Sequence, residues 1–276
     1  MRYLLIGAAG QLGSAFRARL ADVTALTRAE LDLTDAGAIR DAVARAGPDV
    51  ILNCAAYNAV DQAEGDAPRA FAVNAFAVLE LARAATTCGA TLVHYSTDFV
   101  FDGTASAPYV EDARANPASV YGQSKLVGEW MALQAARAYV LRVESLFGGP
   151  ATRSSIDRIV ESLRQARPTR VFVDRVVTPS YVEDVIDASV ALLDRQAAPG
   201  IYHCVNSGVT TWHELGEFVA RTIGANPALL EPVRVADVPM RAPRPQYCAL
   251  SNEKLALAGV TMPEWRDALA RHLARA

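Results

Sequence analysis

The stretch Ile6-Gly7-Ala8-Ala9-Gly10-Gln11-Leu12-Gly13 decides the fold. It follows a short apolar run, Tyr3–Ile6, and opens a helical segment, Gln11–Leu20. Glycines at such a turn let backbone amides approach a pyrophosphate at the positive end of the helix dipole. The spacing is GxxGxxG and not the commoner GxGxxG, and glycines also mark ordinary turns. Its place, with a strand before it and a helix after, favours a phosphate loop. Gly7, Gly10, Gln11, Leu12 and Gly13 are therefore expected to hold a dinucleotide.

Outward from this loop, strand-like and helix-like segments alternate. Val23–Leu26, Asp49–Leu52, Thr91–Tyr95 and Tyr139–Val143 are continuous apolar runs, with helices expected at Ala36–Ala46 and Ala118–Ala136. Apolar strands separated by helices imply a parallel sheet covered on both faces. After about residue 150 the pattern loosens. Strands are expected near Val171–Val173 and Ile201–Val205, helices near Val182–Leu193 and Thr211–Ile223, and a Pro- and Arg-rich loop at Pro227–Pro245. The expected class is α/β, a Rossmann-like doubly wound parallel sheet with a smaller C-terminal substrate-binding lobe. Residues 1–150 would form the dinucleotide-binding core and 151–276 the lobe, interleaved with elements returning to the core. A length of 276 residues suits this plan.

Composition excludes several classes. With 27 Lys+Arg against 30 Asp+Glu, the net charge of −3 gives no bulk attraction to nucleic acid or anionic lipid. No apolar stretch reads as a membrane span or signal core. Cys54, Cys88, Cys204 and Cys248 are scattered, which favours reduced thiols and a cytoplasmic setting over a disulfide framework or zinc. His94, His203 and His213 lack metal-ligand spacing, so no metal is expected.

At the end of the second strand stands Leu26-Thr27-Arg28, and an Arg there suits a ribose 2′-phosphate. NADPH is thus favoured, with NADH the alternative. Asp32 and the backbone amide of Leu33 are placed near the adenine. In Val120-Tyr121-Gly122-Gln123-Ser124-Lys125, the tyrosine and lysine share a helix face one turn apart. A nearby ammonium would lower the phenol's pKa and make it an acid near neutrality. Upstream, Ser96-Thr97-Asp98-Phe99 ends a parallel strand, where α/β sheets bind ligands, and Thr97 could orient a carbonyl. In the Pro-rich loop, Arg241 and Arg244 offer guanidinium forks for a diphosphate.

Together these segments resemble the extended short-chain dehydrogenase/reductases, and among them the dTDP-4-dehydrorhamnose reductase family. The resemblance rests on Gly7–Gly13, on Asn53-Cys-Ala-Ala-Tyr-Asn-Ala-Val-Asp-Gln-Ala-Glu64 and on His94-Tyr-Ser-Thr-Asp-Phe-Val-Phe-Asp-Gly103. Val120–Glu129, Gly200-Ile-Tyr-His203, Thr211-Trp212 and Arg244-Pro245 extend it over nearly the whole chain. It implies an NAD(P)H-dependent reductase acting on the C4 ketone of a nucleotide-activated deoxysugar. Tyr121 would protonate the alkoxide, Thr97 would bind the same oxygen, and Lys125 would hold the ribose and depress the Tyr121 pKa. Ala55, Ala56 and Tyr57 would line the cofactor, supported by Asn74. Val60, within the loop Ala59–Glu64, and the region of Arg244 would help close the sugar-nucleotide pocket. Asp98 and Phe99 are counted on that side too, Asp98 mainly as fixing its loop. Relatives with the same tyrosine and lysine include epimerases and dehydratases of sugar nucleotides. The family also contains the non-catalytic NADP-binding regulatory subunit of methionine adenosyltransferase, a reading against which the intact Tyr121, Lys125 and Thr97 count. A homodimer is the assembly considered.

The departures from the family pattern fall on the substrate side. Arg-Thr-Ser-Trp-Val-Tyr-Gly becomes Arg142-Val-Glu144-Ser145-Leu-Phe-Gly148, putting a carboxylate and a small hydroxyl where the sugar is expected. Arg-Pro-x-x-Ser-x-Leu becomes Arg244-Pro-Gln-Tyr-Cys248-Ala-Leu250, and Gly-x-Pro-Thr becomes Val177-Thr-Pro-Ser180. Ala15 stands where some members carry a glutamate linked to magnesium-bridged dimers.

Overall fold

The computed structural model describes residues 1–150 and 154–275. Its strands β1 (Tyr3–Ile6), β2 (Val23–Leu26), β3 (Val50–Asn53), β4 (Thr91–Thr97) and β5 (Ala138–Val143) belong to one parallel sheet. With β8 (Gly200–His203) the order is β2-β1-β3-β4-β5-β8. The chain turns one way from β1 to β2 and the other way from β1 to β3. This reversal opens a crevice at the carboxyl ends of β1 and β3. Between the strands run α1 (Gln11–Arg19), α2 (Ala36–Ala46), α3 (Val60–Ala63) and α4 (Ala67–Phe71). A π-helical turn, Ala72–Phe76, joins α4 to α5 (Ala77–Cys88), and α6 (Val120–Ala132) precedes β5.

The continuous run Ala67–Cys88 is apolar and long enough to cross a membrane by composition. Val78, Leu81, Ala82 and Ala85 within it are instead fully buried with Ile39 and Val43 of α2 against one sheet face. Phe16 of α1 covers the other face together with Val182, Val185 and Ile186 of α8 (Val182–Asp194); α7 (Ser155–Arg164) lies between β5 and β6 (Thr169–Phe172). A second core joins α7, α9 (Trp212–Ile223) and α11 (Trp265–Leu273) to β6 and β10 (Leu230–Val233), which pair in parallel. Two-residue strands β7 (Val176–Val177) and β9 (Thr210–Thr211) pair beside it, and α10 (Glu253–Leu257) follows. The expected division after residue 150 abuts 151–153, outside the described residues.

Two elements differ from expectation in ways that matter to the site. β4 continues past Tyr95 to Thr97, because Ser96 and Thr97 still pair with Arg142 and Val143 of β5. Helix α6 begins only at Val120, where the Ser119 hydroxyl accepts from Gly122 N at 3.1 Å. It stops at Ala132, since the chain must turn to enter β5 at Ala138.

Candidate active site

The glycine loop is shaped by backbone contact. Gly7 has φ of +82°, and a Cβ there would lie 2.7 Å from Ala55 N, so only glycine lets the β1 and β3 loops meet. A Cβ on Gly13 would lie 2.2 Å from Gly7 O, which fixes how closely α1 packs on the loop. Gly10 caps α1 without a side chain, leaving amides of the first turn open to an anion. Gln11 donates through Nε2 to Gly148 O at 2.9 Å, tying this loop to the one after β5.

A cavity of about 500 Å³ opens from the loop. Gly7, Gly10, Gln11, Leu12, Arg28, Asp32, Leu33, Ala55, Ala56, Tyr57, Tyr121 and Lys125, put forward from the sequence, line it. Gly13 lies behind the wall. Asn74 is also buried behind it, where its Oδ1 accepts from Tyr57 N at 2.8 Å and its Nδ2 donates to Tyr57 O and to Ser124 Oγ. Asn74 thus shapes the cofactor wall without forming it. The sequence reading missed Arg69, which lines the same end and, like Arg28, acts on Asp32. Its position on α4 gave no local signal. The open helix terminus, the glycine cradle and two arginines fit a dinucleotide carrying a 2′-phosphate.

At the other end of the cavity stand Tyr121 and Lys125. Lys125 is buried, and its Nζ donates to Tyr95 O at 2.5 Å and lies 3.4 Å from His94 Nε2. Burial lowers its pKa to about 8, opposed by Glu129. Burial and the Lys125 charge push His94 well below its ordinary value, so the imidazole is neutral. The phenol of Tyr121 is pushed up to about 12, by burial first and then by the Asp98 charge, while a hydrogen bond with Thr97 opposes the rise. The expected depression by Lys125 is therefore absent: the ammonium is turned toward the Tyr95 carbonyl, and desolvation governs the phenol. Phe99 packs edge-on against Tyr121, ring centroids 5.6 Å apart. Glu64 accepts from Val120 N at 2.8 Å, placing a carboxylate at the start of α6.

Behind Thr97 lies a buried polar cluster. Thr97 Oγ1 donates to Asp98 Oδ1 at 2.9 Å and accepts from Phe99 N. Glu144 Oε2 accepts from Thr178 N at 2.6 Å and from Thr178 Oγ1 at 2.8 Å. Oxygen or sulfur atoms of Asp98, Glu144 and Cys248 lie within 4.8 Å of one another. Arg175 reaches Cys248 Sγ from Nη2 at 3.5 Å. Asp98 and Glu144 are 3% and 2% exposed and, like Thr97, are not among the residues lining the 500 Å³ cavity. Ser145, half-buried with φ of +45°, turns the chain between Glu144 and the cavity residue Leu146.

The Pro-rich loop is fixed from within. Asp61 accepts from Ala242 N at 3.0 Å and pairs with Arg244 at 2.8 Å, and the Arg244 guanidinium lies 5.9 Å from the Phe99 ring. Arg244 is thus already paired, whereas Arg241 is exposed over Gly65. Val60 begins α3, the helix that carries Asp61. A second cavity, about 260 Å³, is lined by Arg158, Arg170, Arg175, Phe172 and Trp212 among others. These arginines were not singled out in the sequence, because only the fold gathers α7, β6 and the turn after it.

The model of the RmlD substrate binding domain family matches residues 1–276. A dTDP-4-dehydrorhamnose reductase of Streptomyces griseus is 37% identical over 97% of this chain and 91% of that protein. A dTDP-4-keto-6-deoxy-D-glucose reductase of Streptomyces niveus is 34% identical over 98% of this chain and 96% of its own. Among solved structures, dTDP-4-dehydrorhamnose reductase from Bacillus anthracis in complex with NADP superposes with a TM-score of 0.94. It is 28% identical, with 100% of this chain and 99% of that one covered.

Proposed function

The chain belongs to the RmlD substrate binding domain family, and from that premise we propose that it is an NADPH-dependent reductase of a dTDP-linked 4-keto-deoxysugar. The observation that carries this reading is the placement of Tyr121 and Lys125 at one end of the glycine-loop cavity, with Thr97 beside the phenol. Gly7, Gly10 and the open α1 terminus would hold the pyrophosphate, Arg28 and Arg69 the 2′-phosphate, and Lys125 the nicotinamide ribose. Bound there, the cofactor supplies the hydride. Raised to about 12, the Tyr121 phenol stays protonated at neutral pH and is ready to protonate the oxygen forming at C4. Thr97, whose hydroxyl proton is directed to Asp98 Oδ1 without substrate, would turn it to the same oxygen. Lys125, at about 8, remains largely cationic at pH 7.

The arginines of the second cavity, with Phe172 and Trp212, support recognition of a nucleoside diphosphate by guanidinium and aromatic faces. A homodimer is part of the proposal. The exposed apolar side chains of Phe76, Trp130 and Leu133, on the π-helical turn, on α6 and just after it, support burial of that face. The four unpaired cysteines support a reducing cytoplasm as the setting.

The test is oxidation of NADPH and of NADH by purified protein offered a panel of 4-keto sugar nucleotides. Substrate-dependent oxidation of NADPH, with a 4-hydroxy sugar as product, is expected. Tightly retained NAD with no net oxidation of added cofactor would contradict the reductase reading.

A further inference from the structure

Two buried carboxyls lie behind Thr97 with more oxygen than the surroundings satisfy. Asp98 Oδ2 and Glu144 Oε1 have no hydrogen-bond partner, although both are inaccessible to solvent. A buried acceptor left empty is destabilising, and more so when charged. Two carboxylates in such proximity cannot both ionise cheaply away from water. A single proton on one of the two, whose oxygens lie within 4.8 Å of each other, removes one charge and turns one of the bare oxygens into a donor.

The titratable and charged groups facing the pair among the described residues are Arg175, Cys248 and Tyr121. Arg175 is the lone cation of that set and balances one carboxylate, leaving the other to carry the proton. Burial and the Asp98 charge push Glu144 up to about 8, and burial raises Asp98 as well. Cys248, raised far above its ordinary value by burial, is a neutral thiol at pH 7. The three side chains also present donors to a metal ion, but the Arg175 guanidinium on Cys248 Sγ already supplies the positive charge there.

Resting on the reductase reading, we propose that Asp98 and Glu144 store one proton and pass it through Thr97 to Tyr121, restoring the acid while substrate and cofactor exclude water from the crevice. The proton moves in a chain of transfers. The Tyr121 O–H bond breaks as its proton joins the sugar alkoxide. The Thr97 hydroxyl turns from Asp98 Oδ1 to the phenolate and gives up its proton, and Thr97 Oγ1 takes one back from Asp98, which is itself supplied by Glu144 when the stored proton sits there. The second carboxylate so formed faces Arg175, and water refills the pair through the same hydroxyls once product leaves. Glu144 thus acts through Asp98 and Thr97 and never on the sugar.

Infrared spectroscopy of the wild-type protein, free of cofactor and substrate, tests the store directly. A protonated-carboxyl C=O band should persist at pH 7, titrate away near pH 8 and be missing from Glu144→Gln. With a turned-over 4-keto sugar nucleotide, Glu144→Gln should lose about ten- to a hundredfold in kcat, less than the roughly 100- to 10,000-fold of removing a general acid. The NADPH KM should not move, and the solvent isotope effect on kcat should rise. No such band at pH 7, a stoichiometric divalent metal in the purified protein, or wild-type kcat and isotope effect in Glu144→Gln would each overturn the proposal. If Glu144→Gln does not fold, the wild-type band and Asp98→Asn decide in the same way. A chain that reduced no 4-keto sugar nucleotide would sink the reductase reading and the relay with it, while the band would still report the shared proton.

Discussion

On the cofactor side of the crevice, shape comes from backbone: Gly7 against Ala55, Gly13 against Gly7, and a helix terminus left bare at Gly10. Behind Thr97, on the side proposed for the substrate, the protein is built from buried charge. Asp98, Glu144 and Arg175 are gathered there, and, also buried, Arg142 grips Glu129 through Nε at 2.8 Å and Nη2 at 2.7 Å. Backbone recognition suits a ligand part that never varies, such as a pyrophosphate. Buried charge is tunable, because one substitution resets protonation and hydrogen bonding around it. The contrast explains why departures from the family pattern collect on the second side. Two of them, Glu144 and Cys248, meet in space although 104 positions separate them in the chain.

The sharpest way to break this comparison is to remove one member of the buried pair. Glu129→Ala leaves Arg142 uncompensated at 3% exposure, and it should lower unfolding stability by about 3–5 kcal/mol in denaturant titrations. Gly13→Ala should come next, at about 1–3 kcal/mol, since its Cβ overlaps the Gly7 carbonyl and the backbone must move. NADPH binding, followed by fluorescence, should weaken with it. Arg28 is exposed, so Arg28→Ala should cost NADPH affinity about 1 kcal/mol or less while sparing NADH. Equal losses for both cofactors would remove Arg28 from the 2′-phosphate site.

Another effect depends on pH. Glu144 ionises near 4.5 when unfolded and about 8 when folded, so the stability carried by its protonated form is complete below pH 4.5. It fades as pH rises through about 8. The melting temperature of Glu144→Gln should therefore gain on wild type across that window and hold its lead above it. A constant difference from pH 5 to 9 would show that the carboxyl is not held protonated.

Much of this was legible because period and position report on backbone. Continuous apolar runs marked β1, β2 and most of β3 to β5, and glycine spacing marked the loop that lines the cavity. Tyr121 and Lys125 were legible because helical spacing puts them on one face. Their electrostatics were not: spacing cannot show that Lys125 points to Tyr95 O, nor that burial drives the phenol upward. Arg244 read as a free fork for phosphate because its partner, Asp61, sits 183 residues away. Arg69 and Arg175 carried no motif, and only the fold brings them to the crevice and to the carboxyl pair. Charge pairing across long sequence separations is the part that a linear reading cannot supply.

Tyr121→Phe tests the central claim most directly, since it removes one hydroxyl and leaves the ring against Phe99. Single-turnover NADPH oxidation with a 4-keto sugar nucleotide should slow by about 100- to 10,000-fold, with NADPH affinity unchanged. Reduction at the wild-type rate would show that another group protonates the sugar, and the assignment of Tyr121 would fall.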